Sequence, residues 1–143
     1  MYFFNYGDYQ IIGSSPEILV QATKNKATVR PIAGTRKRTF KNEMDLVNDL
    51  KSDAKEIAEH VMLVDLGRND LGRVCDFKSI KISDLMAIEK YSHVIHMVTN
   101  VEGNLSKNMT PIDVFKATFP AGTVSGAPKI RAIEIIHDLE PEE

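Results

Sequence analysis

The stretch from Asp53 to Gly67 limits most strongly what this chain can fold into. Asp53 can cap a helix, with Glu56 three residues on to answer it. Ala54, Ile57, Ala58, Val61 and Met62 recur at helical spacing and predict one buried stripe. Val61 to Val64 is apolar all round, which predicts a fully buried helix ending near Gly67. A helix buried in that way needs further layers packed around it.

The flanking segments supply those layers. Residues 2–6, 9–12, 17–22 and 27–33 are short aromatic and β-branched runs. Turn formers at Gly7-Asp8, Ser14-Ser15-Pro16 and Lys24-Asn25-Lys26 separate them. A short helix is expected from about Asn42 to Leu50, and strands over 77–82, 84–90 and 93–101. Thr110-Pro111-Ile112-Asp113 is a helix start with a capping Thr, Pro in the first position and an early acid. A second start at Ser125-Gly126-Ala127-Pro128 should lead a helix through Ile130, Ile133 and Ile136 to about Leu139, before Pro141. Hairpins, helices, strands, then helices predict an α+β fold, with antiparallel sheet layers and packed helices.

Charge narrows the function. Lys and Arg total 18 against 20 Asp and Glu, a net charge of −2, which leaves no electrostatic footprint for nucleic acid or for an anionic membrane. No apolar run reaches the roughly 20 residues of a membrane helix. The first residues lack the layout of a signal peptide. The one cysteine, Cys75, can form no internal disulfide and fits a cytoplasmic protein.

Several side chains could carry chemistry. Glu59 shares a helix face with Met62, Leu63 and Leu66, so burial would demand a cation, a partner or a raised pKa; an exposed face is the plain alternative. Asp65 lies on the predicted stripe and reads as a structural ion pair near Arg68 and Asn69. His93 and His96 fall in a strand reading. There they would face opposite sides and could not share a metal, which leaves His96 as a candidate acid/base. Gly34-Thr35 ends a strand where the backbone can be approached closely. Gly122 to Lys129 is a Gly/Ser/Thr-rich turn that suits either an anion or a plain capped helix, and it lacks Walker spacing. Glu17 alone reads as a surface carboxylate.

Five blocks together resemble the chorismate-utilising enzymes, most closely the anthranilate synthase component I branch. They are Gly13-Ser14-Ser15-Pro16-Glu17, Arg30 to Arg36, Glu59 to Arg73, Tyr91 to His96 and Phe119 to Lys129. The resemblance implies conversion of chorismate and ammonia to anthranilate and pyruvate, with Mg²⁺ as cofactor. It implies a glutamine amidotransferase subunit (component II) as the ammonia source. It implies Glu17 as general acid, His96 as a second catalytic residue and Glu59 as a metal ligand. Gly34, Thr35 and Thr123 become substrate-binding positions.

Ala33 stands where the related aminodeoxychorismate synthases carry a nucleophilic Lys, which makes that activity the second reading. A non-catalytic binding module of the same fold is a third. Family catalytic chains are far longer, so residues 1–143 are expected to form the central fragment of a chorismate-binding catalytic domain. On that reading the fragment is incomplete at both ends and inactive alone. A second Mg²⁺-ligating Glu and further substrate contacts are expected outside it.

Overall fold

The computed structural model describes residues 1–15, 17–39 and 42–140. Pro16 of the expected turn and Pro141 beyond the last helix lie outside these. The fold is α+β. Two strands, β1 (Tyr2–Asn5) and β2 (Gln10–Gly13), form an antiparallel hairpin of their own. The other five form an antiparallel sheet: β3 (Gln21–Thr23), β4 (Lys26–Val29), β5 (Ile32–Lys37), β6 (Lys81–Lys90) and β7 (Val94–Asn104).

The long β7 is the spine of this sheet. β4 and β5 share one of its edges, pairing with its C-terminal and N-terminal halves, and β6 runs along the other. Pro31 sits at the junction of β4 and β5, where its missing N–H costs no ladder bond. Its carbonyl accepts from the Thr99 amide at 3.3 Å.

The register slips on both edges of β7, opposite His96–Met97 on one and opposite Thr99 on the other. On β5 the slip falls between Ala33 and Thr35, and on β6 between Ser83 and Ala87. Gly34 takes φ +81° in the first slip, and Asp84 and Met86 take φ +50° and +54° in the second. A bulge turns strand residues toward new neighbours, and these two flank β7 on its two edges, offset by about two residues along it.

Helices α1 (Glu43–Ser52) and α2 (Ala54–Gly72) cover one face of the sheet. Asp53 caps α2 as expected, accepting from the Lys55 and Glu56 amides. The helix runs five residues past Gly67. Its buried face is His60, Leu63, Val64, Gly67, Asp70 and Leu71, while Val61 and Met62 are 51% and 45% exposed. This corrects the predicted stripe and the expectation of full burial. Apolar residues surround this helix, so spacing alone does not choose the face; the sheet chooses it by meeting a Gly67 that lets Val29 approach closely.

One core cluster joins Ala27, Val29, Val64, Leu71, Val101 and Val114; a second joins Val47, Leu50, Ile95 and Met97. Residues 77–79 form a 3₁₀ turn, and the two strands expected over 77–90 are one bulged strand, β6. Helix α3 (Pro111–Thr118) has the full capping box, with Thr110 and Asp113 bonding reciprocally. A four-residue helix, α4 (Gly122–Ser125), fills the glycine-rich turn. Helix α5 (Lys129–Leu139) starts directly after the expected start signal, with Pro128 and not Ser125 at its N-cap, and ends at Leu139 as expected. Among the described residues, no helix is long and apolar enough to cross a membrane.

Candidate active site

A cavity of about 350 Å³ opens beside α2. Leu63, Leu66, Gly67 and Asp70 of α2 form its floor, Glu17 to Leu19 one wall, and Ala121 to Val124 another. Glu17 and Thr123, which sequence motifs place far apart in the chain, therefore line one cavity. Glu17 is exposed as a residue, yet partial burial of its carboxyl beside the cavity raises its pKa above the ordinary carboxylate value; the Ile32 backbone opposes this. A carboxyl held in that way keeps its proton to higher pH, as a general acid requires.

A second group lies at the β5–β7 pairing. Thr35 stands opposite His96, and its hydroxyl is 2.9 Å from His96 Nδ1. His96 Nε2 makes no hydrogen bond among the described residues. The Tyr91 ring packs edge-on against the imidazole at 5.6 Å, and Tyr91 donates its hydroxyl proton to Glu89 at 2.6 Å. Glu89 stands opposite His96 on β6 and also pairs with Arg30. Met97, the next residue along, points into the α1 core, so His96 faces away from it across the sheet. His93 precedes β7 and is exposed; its ring Nδ1 lies 2.7 Å from the Ser92 hydroxyl, and its carbonyl accepts from the Arg38 amide at 2.8 Å.

Glu59 is exposed on α2, on the same helical stripe as the cavity-lining Leu63, Leu66 and Asp70 but one turn before them. The apolar burial considered for it does not occur. Among the described residues no three His, Cys, Asp or Glu side chains gather closely enough to form a metal cage. A single outward carboxylate still fits Mg²⁺, which is often held by one or two carboxylates with substrate oxygens and water. Asp65 pairs with Arg68 at 3.1 Å as expected, but on the surface. Cys75 is free and buried, and burial raises its thiol pKa.

Three functional-looking residues were not legible in the sequence. Asp70 and Lys129 form a buried ion pair at 2.7 Å across the cavity floor. Burial pushes the Asp70 carboxyl up, and the Lys129 ammonium opposes that. His60 is fully buried, with Nε2 2.6 Å from the Thr99 hydroxyl oxygen, which also accepts from the Met86 amide at 2.9 Å. Its Nδ1 has no hydrogen-bond partner among the described residues. His60 thus props the sheet at Thr99, opposite the bulge of β6. Only its place beside Glu59, one residue round the helix, could have hinted at this.

Burial holds the His60 pKa below its ordinary value of 6.5, against a smaller opposing effect of the Ala33 backbone. The native state then binds fewer protons than the unfolded chain just below pH 6.5. Stability must fall as pH drops through that value, by up to about 1.4 kcal/mol per pH unit for one proton. Urea unfolding between pH 7.5 and 5.5 should show this loss, and His60→Gln should remove it. An unchanged pH dependence in the variant would place the loss elsewhere.

Residues 1–143 match the family described as chorismate binding enzyme. Over 143 residues the chain is 59% identical to anthranilate synthase component 1 of Neisseria meningitidis serogroup B. Over 149 residues it is 60% identical to that of Synechocystis. Both alignments cover 99% of this chain and 29% of the relative. The crystal structure of anthranilate synthase component I from Streptococcus pneumoniae superposes with a TM-score of 0.85 at 49% identity, covering 99% of this chain and 31% of that one. The chain thus spans about 29% of the length of the curated relatives it matches. With the whole chain matched and the α+β architecture shared, it belongs to the chorismate binding enzyme family.

Proposed function

We propose that this chain is the central segment of an anthranilate synthase component 1. The longer protein would be a cytoplasmic enzyme of tryptophan synthesis that converts chorismate and ammonia to anthranilate and pyruvate. The observation that carries the reading is the Glu17 carboxyl, its pKa raised by burial, sharing one cavity with Thr123. Glu17 protonates the departing hydroxyl. His96, anchored by Thr35 at Nδ1, keeps Nε2 for handling a proton near the ring. Gly34 and Thr35 shape the β5 bulge and would contact substrate there, and Thr123 would contact it from the cavity.

Glu59 would hold Mg²⁺, which when bound neutralises the substrate carboxylate. Ammonia comes from glutamine through a separate amidotransferase subunit. Ala33 supplies no amine, which favours this reading over aminodeoxychorismate synthesis.

The test uses the full-length protein that carries this segment, with chorismate, ammonium and Mg²⁺. Anthranilate fluorescence should rise with time. Formation of aminodeoxychorismate or isochorismate instead would overturn the proposal. Glu59→Gln should raise the Mg²⁺ needed for half-maximal rate at least about tenfold. Titration calorimetry with Mg²⁺ alone should show the same weakening, and unaltered metal binding would remove Glu59 from that role.

A further inference from the structure

We propose that Lys129 is a positioning residue, holding the cavity wall that carries Thr123 against α2. The inference rests on reading this cavity as the substrate site. The wall is the segment from Phe119 to Pro128, between the end of α3 at Thr118 and the start of α5 at Lys129. Its own bonds are internal or run to the adjoining helices α3 and α5. Phe119 N donates to Phe115 O, Ser125 N to Ala121 O and Gly126 N to Gly122 O. Among the described residues, no hydrogen bond runs from residues 119–128 to α2 or to the sheet.

One ammonium replaces those missing ties. Lys129 Nζ donates to Thr118 O and to Asp70 Oδ2, both at 2.7 Å. It therefore joins the two ends of the segment to each other and both to α2. The two side chains are 5% and 11% exposed, so water screens this pair weakly. Lys129 is also the only buried residue of α5. Asp70, Thr118 and Ala121 to Val124 all line the cavity, so the clamp sets the distance between floor and wall. Gly122 completes the fit: a side chain there would run into Leu66 of the floor. A buried charge is a poor choice for stability alone, since apolar residues of similar volume often serve as well. A methionine would fill the same space, but it could not bond to two separate elements.

The experiment compares Lys129→Met and the neutral pair Asp70→Asn/Lys129→Met with the parent in the full-length protein. Hydrogen exchange without substrate should quicken at least about tenfold at the amides of residues 122–126, while the core amides of α2 stay protected. In the chorismate assay KM should rise at least about fivefold, with a smaller change in kcat. In a Thr123→Val background the same replacements should change KM less than about twofold, because the clamp acts through Thr123.

Unchanged exchange and KM in a folded variant would overturn the proposal, as would KM effects that simply add to that of Thr123→Val. If the single variant does not fold, the neutral pair decides. If neither folds, the pair is a structural support and the proposal fails. A parent protein that makes no anthranilate refutes the functional reading, while the exchange measurement still decides whether Lys129 holds the wall.

Discussion

Glu17→Gln in the full-length enzyme is expected to lower kcat for anthranilate formation by about 10²–10⁴-fold, the usual worth of a positioned general acid. Glutamine keeps the shape of the carboxyl and loses the proton. KM for chorismate should move by no more than about threefold, since binding contacts remain. The parent's rate should fall as pH rises through the pKa of Glu17, because the acid form is the working one and burial has shifted that pKa upward. That alkaline limb should be absent from what activity the variant retains. A variant within about threefold of the parent, with the limb intact, would remove Glu17 from the chemistry.

Gly34→Ala should destabilise the fold by about 2–5 kcal/mol, large against a typical stability of about 5–15 kcal/mol. Two costs add. The backbone sits at φ +81°, in the left-handed region, where a Cβ costs about 1–2 kcal/mol. The new methyl would also lie 2.7 Å from Leu50 Cδ1. Leu50 is fully buried between α1 and the sheet and cannot yield, so overpacking adds about 1–3 kcal/mol. Gly7→Ala is the control: its φ is +89°, but nothing lies within 4 Å of the added carbon. It should carry the backbone cost alone. Urea unfolding of both variants separates the two costs, and equal losses would refute the packing argument. The bulge that Gly34 permits sits beside the Thr35–His96 contact, so activity should fall with stability.

Much of the architecture follows from local chemistry. Thr110 and Asp113 make a capping box wherever a chain continues as a helix. Asp53 caps α2 for the same reason, with its acceptor oxygen two and three residues from unpaired amides. His93 and His96 were expected in one strand on opposite faces; β7 starts only at Val94, so His93 lies before the strand and alternation does not place it. The motifs picked out single residues and not their arrangement: Glu17 and Thr123 line one cavity, and Thr35 meets His96.

Spacing did not choose which face of α2 is buried. Apolar groups surround that helix, and the decision belongs to the sheet it meets. His60 and Asp70 take buried positions because Thr99 and Lys129 stand ready to bond them, 39 and 59 residues away. A partner at that separation leaves no periodic trace in the chain.

The sequence by itself determined the family, the α+β order of elements and the caps of α2 and α3. These depend on neighbours within a few positions, or on whole motifs. Only the tertiary structure decided that Glu59 faces outward and that the site residues fall into two groups, at the cavity and at the β5 bulge. It alone showed one buried lysine tying a cavity wall to α2. The physical reason is common to all three. Burial, desolvation and long-range hydrogen bonds exist only once distant segments pack, and they set which groups can ionise, bond or move.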